Sequence, residues 1–193
     1  MADFFLKLSL TDNANHGNYV FDYNGPGKFK NDCICHEDAH YLILLDGVIL
    51  NKRQLINNYA TKNWTEGIKT LHKQHGETFF ELLKGSYYGI IFDKKKNQWI
   101  FFTDHIGTKP LYYHNSENFI YFSNNYTRLL KQLKSDTINI SLDVNSAYLL
   151  LTFGYVFEEK TILNEIKRLL IGSYGKVEKS KFTEHVFYKI SNE

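Results

Sequence analysis

Two groups of side chains in this sequence could take part in chemistry, and the first is a pair of cysteines beside a histidine. Cys33, Cys35 and His36 stand close together, with His40 shortly after, and thiols and imidazoles are common zinc ligands. The alternation of a strand places both thiols on one face, but this spacing lacks the second ligand pair of a structural zinc site. We therefore predict no metal site and interpret the segment as a strand with two buried, reduced thiols.

The second group is Asp104 next to His105, a combination that can act as an acid–base pair. Neighbouring residues of a strand point to opposite faces, and no serine or cysteine lies near them in sequence as a nucleophile. We therefore expect this segment to have a structural role.

Composition narrows the class of protein. The 193 residues include 23 Lys+Arg and 21 Asp+Glu, a net charge of +2, and 43% are hydrophobic. This balance disfavours nucleic-acid and membrane partners, and the apolar content suffices for a compact fold. No apolar run approaches the roughly 18 residues that span a bilayer, and the first residues lack the basic start of a signal peptide. We predict a cytoplasmic protein.

The hydrophobic pattern changes between strand and helix periodicity along the chain. The run at 41–50 is apolar except at Asp46-Gly47, which predicts a buried strand interrupted there by a tight turn or kink. Thr65 is the predicted N-cap of a helix that stops at Gly76. Further strands are predicted at 86–93, 98–103, 111–113 and 118–123, helices at 51–60, 65–76, 79–83, 126–133 and 142–153, and an irregular loop at 161–174.

The connections between the predicted strands decide the fold class. Two central strands are joined by the short charged link Lys94–Asn97 rather than by a crossover of a dozen residues. This favours an α+β fold with antiparallel sheets over a parallel Rossmann sheet. The polar stretch at 134–141 predicts a division into a main domain, 1–133, and a C-terminal extension, 134–193.

Three segments, taken in order, resemble a known family: Leu44–Asn51, Leu83–Asp93 and Thr103–Tyr113. Together they resemble the N-terminal class II glutamine amidotransferase domain of asparagine synthetases. The resemblance implies an N-terminal-nucleophile (Ntn) hydrolase fold, a four-layer αββα sandwich of antiparallel sheets. It also implies that the C-terminal extension leads toward a synthetase domain.

The same resemblance implies a glutamine site, from which this sequence departs. The nucleophile of the family is a cysteine exposed by removal of the initiator methionine, where this chain has Ala2. The Asn-Gly pair of the oxyanion hole matches Asp46-Gly47, and an ionised Asp46 offers only acceptors. The acidic residue for the substrate's α-amine matches Glu66, and no arginine stands before Arg53 to hold the α-carboxylate. Asp46, Gly47 and Glu66 thus mark a vestigial glutamine pocket.

These departures predict a degenerate amidotransferase-like domain, a pseudoenzyme that acts as a structural or docking module. Two alternatives stay open: an active glutaminase that supplies ammonia for glutamine-dependent asparagine synthesis, and a module that binds a small molecule or peptide. The expected partner is a synthetase-type adenylating domain in cis or in trans. No cofactor is expected in this chain, because ATP and magnesium belong to that domain and its Ser-Gly-Gly-x-Asp-Ser loop is absent here. The apolar helix at 142–153 further predicts a homodimer.

Overall fold

The computed structural model describes residues 3–11, 18–25 and 32–188, whose strands form two antiparallel sheets. In chain order its elements are β1 (Asp3–Ser9), β2 (Tyr19–Asn24), β3 (Ile34–Glu37), β4 (Tyr41–Ile49), α1 (Lys52–Asn58), α2 (Trp64–His75), a 3₁₀ helix (Gly76–Leu82), β5 (Gly85–Asp93), β6 (Gln98–Thr103), β7 (Tyr112–Asn115), β8 (Phe119–Ser123), α3 (Tyr126–Ser135), α4 (Val144–Phe153), β9 (Lys167–Arg168), β10 (Ser173–Glu178) and β11 (Lys181–Val186). The prediction of an α+β fold with antiparallel sheets is confirmed.

Contacts divide the chain into two compact units, and each unit contains one sheet. The first unit comprises residues 1–26 and 110–170, and its five strands lie in the order β2–β1–β8–β7–β9. The second unit comprises residues 27–109 and 171–193, and its six strands lie in the order β11–β10–β6–β5–β4–β3.

Helix α3 packs on the sheet of the first unit because its apolar side chains fall on one face. Leu129 and Leu133 are fully buried and cluster with Phe5 of β1 and Tyr121 of β8. The side chain of Asn125 caps the helix by accepting a hydrogen bond from an amide of the first turn. Within the part of the chain that the structure describes, no helix combines the length and the hydrophobicity that crossing a membrane requires.

The helices of the second unit pack on one face of the six-stranded sheet. Leu71 of α2 and Phe79 and Phe80 of the 3₁₀ helix have no exposed surface. The Phe80 ring stacks on Phe102 of β6 with 4.9 Å between the ring centroids. This aromatic packing ties the helical layer to β6, the strand beside β5.

Two local predictions are corrected by this unit. The N-cap of α2 is Asn63, whose side chain accepts a hydrogen bond from the Glu66 amide at 2.9 Å, and Thr65 lies inside the helix. Strand β4 runs without a break through Asp46 and Gly47, because β5 pairs with it along its whole length. The predicted interruption at this point is therefore wrong.

The end of the described chain returns to the sheet of the second unit. Strand β10 pairs with β6, and β11 pairs with β10, in residues 173–186 that the sequence pattern did not mark as strands. Residues 134–170 belong instead to the first unit. Pairing between residues that are distant in sequence assigns each segment to its unit. The boundary expected at residue 133 stays a prediction.

Helix α2 carries a histidine, His72, that is only 1% exposed. Its ring meets Tyr41 and Phe79 edge-on, at centroid distances of 5.7 and 5.6 Å. Neither ring nitrogen has a hydrogen-bond partner among the described residues. Burial disfavours the imidazolium form and so holds the pKa of His72 below its ordinary value of 6.5.

We expect this histidine to make stability depend on pH. The negative charges of Asp93 and Glu77 partly raise the pKa of His72 again, whereas the positive charge of Lys96 lowers it further. In the unfolded chain His72 takes up its proton near pH 6.5, whereas the folded protein does so only at lower pH, so acidification below about pH 6.5 favours unfolding. The free energy of unfolding can be measured in urea at about pH 7.5 and about pH 5. It should fall less between these two pH values in His72→Leu than in the wild type. His40→Ala, at an exposed position, is the control and should show the same fall in unfolding free energy as the wild type. If His72→Leu also shows the wild-type fall, His72 is not the source of the pH dependence.

Candidate functional site

The backbone around Gly47 brings β4 and β5 unusually close together. Gly47 lies opposite Tyr87 in the register, with a φ of 153° that side chains rarely tolerate. A Cβ placed on Gly47 would stand 2.6 Å from the Cα of Tyr87 and closer still to the carbonyl oxygen of Ser86. The position therefore requires glycine, and the close approach fixes the neighbouring Asp46 opposite Tyr88.

The side chain of Asp46 lies in a small polar cluster and is only 4% exposed as a residue. Its Oδ2 accepts a hydrogen bond from the Tyr88 hydroxyl at 3.1 Å, and its Oδ1 lies 3.5 Å from the Lys109 Nζ. The Lys109 ammonium also lies 5.7 Å from the centroid of the Tyr88 ring. Both oxygens thus face a donor, and the lysine compensates the charge of the carboxylate.

The loop that carries Lys109 is held in place by Asp104, which is 1% exposed. The Asp104 carboxylate accepts hydrogen bonds from the amides of Tyr87, Ile106 and Thr108 at 3.1–3.2 Å, and from the Thr108 hydroxyl. Several donors on one carboxylate fix the turn between β6 and β7. Asp104 therefore acts as an anchor for this loop.

His105 follows Asp104 but takes no part in that hydrogen-bond network. Its ring packs edge-on against Phe187 and Tyr188, with centroid distances of 5.4 and 5.2 Å. Asp104 accepts hydrogen bonds from backbone amides, whereas His105 packs against aromatic rings. This geometry fits the structural role expected for the segment.

Glu66 lies in the first turn of α2, about half exposed, and pairs with Lys69 at 2.9 Å. The hydrogen bond from Lys69 holds the pKa of Glu66 below its ordinary value. Lys69 also pairs with Asp38 at 2.8 Å, which makes Glu66 part of a surface ion network. The ion-pair partner of Glu66 is Lys69, whereas that of Asp46 is Lys109. Of the other predicted positions, Gly47 adjoins Asp46, and Ala2 lies outside the described residues.

The sequence comparison and the fold place this chain in one family. A family model described as a glutamine amidotransferase domain matches residues 26–188. The chain belongs to this family. The fold of this amidotransferase domain resembles that of glutamine phosphoribosylpyrophosphate amidotransferase from B. subtilis, solved with ADP and GMP. The TM-score is 0.52 at 10% identity, over 96% of this chain and 43% of the other.

A second solved structure gives the same result for the fold. It is described as the allosteric regulatory enzyme of purine biosynthesis and matches with a TM-score of 0.53 at 11% identity, over 98% of this chain and 44% of that chain. The predicted Ntn-hydrolase type of α+β fold is thereby confirmed.

The curated relatives of this amidotransferase domain include glutamine-hydrolysing asparagine synthetases. The one from Sandersonia aurantiaca is 29% identical over 82 residues, which is 40% of this chain and 16% of the relative. Asparagine synthetase 1 from Bacillus subtilis is 24% identical over 176 residues, which is 88% of this chain and 25% of the relative. The resemblance to the asparagine synthetase amidotransferase domain is confirmed, and the chain spans a quarter or less of the length of these relatives.

Sequence reasoning missed the two partners of Asp46. Tyr88 and Lys109 stand in two of the motifs that carried the resemblance, but nothing local joins either residue to Asp46. One chemical signal for these partners was available. A carboxylate inside an apolar strand needs a compensating cation or hydrogen-bond donor, and Lys109, which follows a glycine turn, was a candidate cation.

The cysteines of the amidotransferase domain are not buried as predicted. Cys35 is exposed and Cys33 is half-buried, and neither forms a disulfide within the described residues. The prediction of two buried thiols is wrong because Ile34 occupies the inward position of β3 and the cysteines take the other side. No group of three or more histidine, cysteine or acidic side chains arranged to hold a metal occurs in the residues that the structure describes.

Proposed function

We propose that this glutamine amidotransferase domain does not hydrolyse glutamine and serves as a docking module for a synthetase-type adenylating domain. The observation that carries the first part is the environment of Asp46. This buried carboxylate takes the place that the resemblance assigns to an oxyanion donor, and Tyr88 and Lys109 both face it as donors. An active glutaminase would need a residue at that position that donates a hydrogen bond to the oxyanion.

The glutamine clamp supports the same proposal. Glu66, the residue assigned to the substrate's α-amine, is paired with Lys69. No arginine precedes Arg53, so the position assigned to the α-carboxylate clamp has no guanidinium. A zwitterionic amino acid needs both charges to be matched before its burial becomes favourable.

Glutamine is therefore expected to leave the thermal stability of the protein unchanged. A ligand that binds only the folded state adds about 2.7 kcal/mol at 100 times its Kd. For a chain of this size that corresponds to a rise in Tm of roughly 5–10 °C, which a thermal melt detects easily. A Tm that rises with glutamine, but not with glutamate or glycine, would show that the pocket still binds its substrate and would overturn the proposal.

The docking part rests on an apolar surface of α4, which we call the α4 stripe. It consists of Val144, Tyr148 and Leu151, spaced by four and three residues on one side of the helix, and their exposed fractions are 71%, 70% and 87%. Helix α4 contains no charged residue, and Tyr155 and Phe157 beyond its end are 54% and 42% exposed. A contiguous exposed apolar surface of this kind is typical of an interface.

The occupant that we propose for the α4 stripe is the synthetase-type domain, in cis or in trans. The chain spans 14–25% of the asparagine synthetases that it matches, so most of each relative lies outside the matched part. An uncharged, aromatic surface suits burial against a large permanent neighbour better than a transient polar contact. ATP and magnesium would bind to that neighbour and not to this chain.

With the α4 stripe uncovered, the isolated chain is expected to form a homodimer. Leu151→Asp places a charge on the most exposed residue of the stripe and should raise the dimer Kd by at least about tenfold. Leu50→Asp is the matched control, since Leu50 is 78% exposed in the other unit. Light scattering behind a sizing column measures both. A wild-type monomer at high concentration, or a dimer disrupted only by Leu50→Asp, would remove the support for docking through α4.

A further inference from the structure

The two cysteines, Cys35 exposed and Cys33 half-buried, lie side by side at the edge of a sheet. Cys35 lies in β3 and Cys33 directly precedes the strand, with Ile34 between them. Ile34 is 6% exposed and packs in the core formed by the helices and the six-stranded sheet. Alternation along the strand therefore directs both thiols away from that core, and β3 is the last strand of its sheet in the described residues.

We propose that Cys33 and Cys35 form a two-thiolate site for a thiophilic metal ion of low coordination number, with Cu(I) as the representative ion. On binding, each thiol releases its proton to solvent as a sulfur–metal bond forms. No electron is transferred and the copper stays monovalent. The register of β3 with β4 places Cys33 opposite Asp46, so the site adjoins the vestigial glutamine pocket.

The spacing of the cysteines suits a metal bridge better than a disulfide. Two residues of extended strand advance by about 6.6 Å, whereas a disulfide needs its Cβ atoms about 3.5–4.5 Å apart. Closing a disulfide would therefore bend the chain at Ile34 and pull that side chain from the core. Two metal–sulfur bonds of about 2.3 Å place the sulfurs about 4.6 Å apart, which the side chains reach by leaning toward each other.

The neighbouring side chains restrict the kind of metal. The His36 ring nitrogen Nε2 lies 3.2 Å from Asp38, and the Glu37 carboxylate pairs with Lys94 at 2.7 Å. The described residues contain no cluster of three or more such ligands, whereas a tetrahedral zinc site takes four. Two thiolates suit a soft ion of low coordination number such as Cu(I) better than a hard ion such as magnesium.

The test is a titration of the reduced full chain with Cu(I) in competition with a coloured Cu(I) chelator. We expect one Cu(I) per chain, and we expect Cys33→Ser and Cys35→Ser each to weaken binding by about 10²-fold or more, since each removes one arm of a chelate. His36→Ala is the matched control and should bind as the wild type does. Zinc, titrated in the same way, should bind far more weakly than Cu(I).

A second measurement examines the spacing of the thiols without a metal cation. Phenylarsine oxide condenses with two neighbouring thiols, with loss of one water, and mass spectrometry should find this adduct on the wild type and on neither serine variant. The proposal is overturned if Cys35→Ser binds Cu(I) as tightly as the wild type, or if one Cu(I) joins two chains. It is also overturned if zinc binds as well as Cu(I), or if the arsenical adduct does not form.

Discussion

Purified protein incubated with glutamine is expected to release no ammonia above a control without protein. Hydrolysis of an amide in such a site requires a donor for the developing oxyanion, and losing one donor lowers kcat by about 10²–10³, which is about 2.7–4 kcal/mol. Asp46 presents acceptors there, and its oxygens already face Tyr88 and Lys109. Ammonia release that a thiol-reactive glutamine analogue abolishes would contradict this expectation.

Substitutions at two positions separate the nucleophile from the oxyanion hole. Ala2→Cys alone is expected to stay inactive while Asp46 remains. Ala2→Cys combined with Asp46→Asn should exceed that single variant by about 10²-fold, because the amide supplies the missing donor. The matched control combines Ala2→Cys with Asp46→Ala, which removes the carboxylate without adding a hydrogen-bond donor. Its rate of glutamine hydrolysis should exceed that of Ala2→Cys alone by much less. If Ala2→Cys alone hydrolyses glutamine as fast as Ala2→Cys combined with Asp46→Asn, then Asp46 does not prevent hydrolysis.

Gly47→Ala is expected to destabilise the protein by about 3–5 kcal/mol. The added Cβ would stand 2.6 Å from the Cα of Tyr87 and closer to the Ser86 carbonyl oxygen, and both atoms belong to the backbone of β5. A backbone neighbour cannot rotate away as a side chain can, so β4 and β5 would have to separate. Because β4 and β5 are paired along nine residues, such a separation would loosen the strand that holds Asp46.

Gly76→Ala is the matched control for this substitution. Gly76 also has a positive φ, 66°, but a Cβ there meets no atom within 4 Å. Only the backbone conformation, with φ 66° and ψ −137°, is then disfavoured, which costs about 1–3 kcal/mol. Urea unfolding of both variants gives the comparison, with the amount of soluble protein as a second readout for Gly47→Ala. Similar losses for the two variants would mean that the close approach of β4 and β5 is relaxed at little cost.

Local patterns in the sequence were sufficient for much of the fold. The alternation of 86–93 and 98–103 around the Lys94–Asn97 link predicted the β5–β6 hairpin, because side-chain periodicity and turn composition are properties of neighbouring residues. The three motifs identified the amidotransferase family for the same reason, since each is a continuous segment. The resemblance also assigned Asp46 to the position of an oxyanion donor, and this assignment stays a prediction.

Strands whose partners are distant in sequence were not predicted. Strand β1 pairs with β8 and β10 pairs with β6, and each of these pairs joins residues that are about 70 or more positions apart. Strands β10 and β11 also pair with each other as a local hairpin, which the sequence analysis missed. The register between such segments depends on which faces are buried once both are in place.

The sequence by itself determined the family and the α+β class, and the resemblance proposed Asp46 as the residue in the oxyanion position. Only the tertiary structure decided what surrounds that residue: Lys109 reaches Asp46 because Asp104 fixes the loop between them and Gly47 lets β5 approach. It also decided that the thiols of Cys33 and Cys35 are not buried and that α4 is largely exposed. Residue type and spacing act locally, whereas burial and charge compensation depend on atoms that the fold brings together from distant parts of the chain.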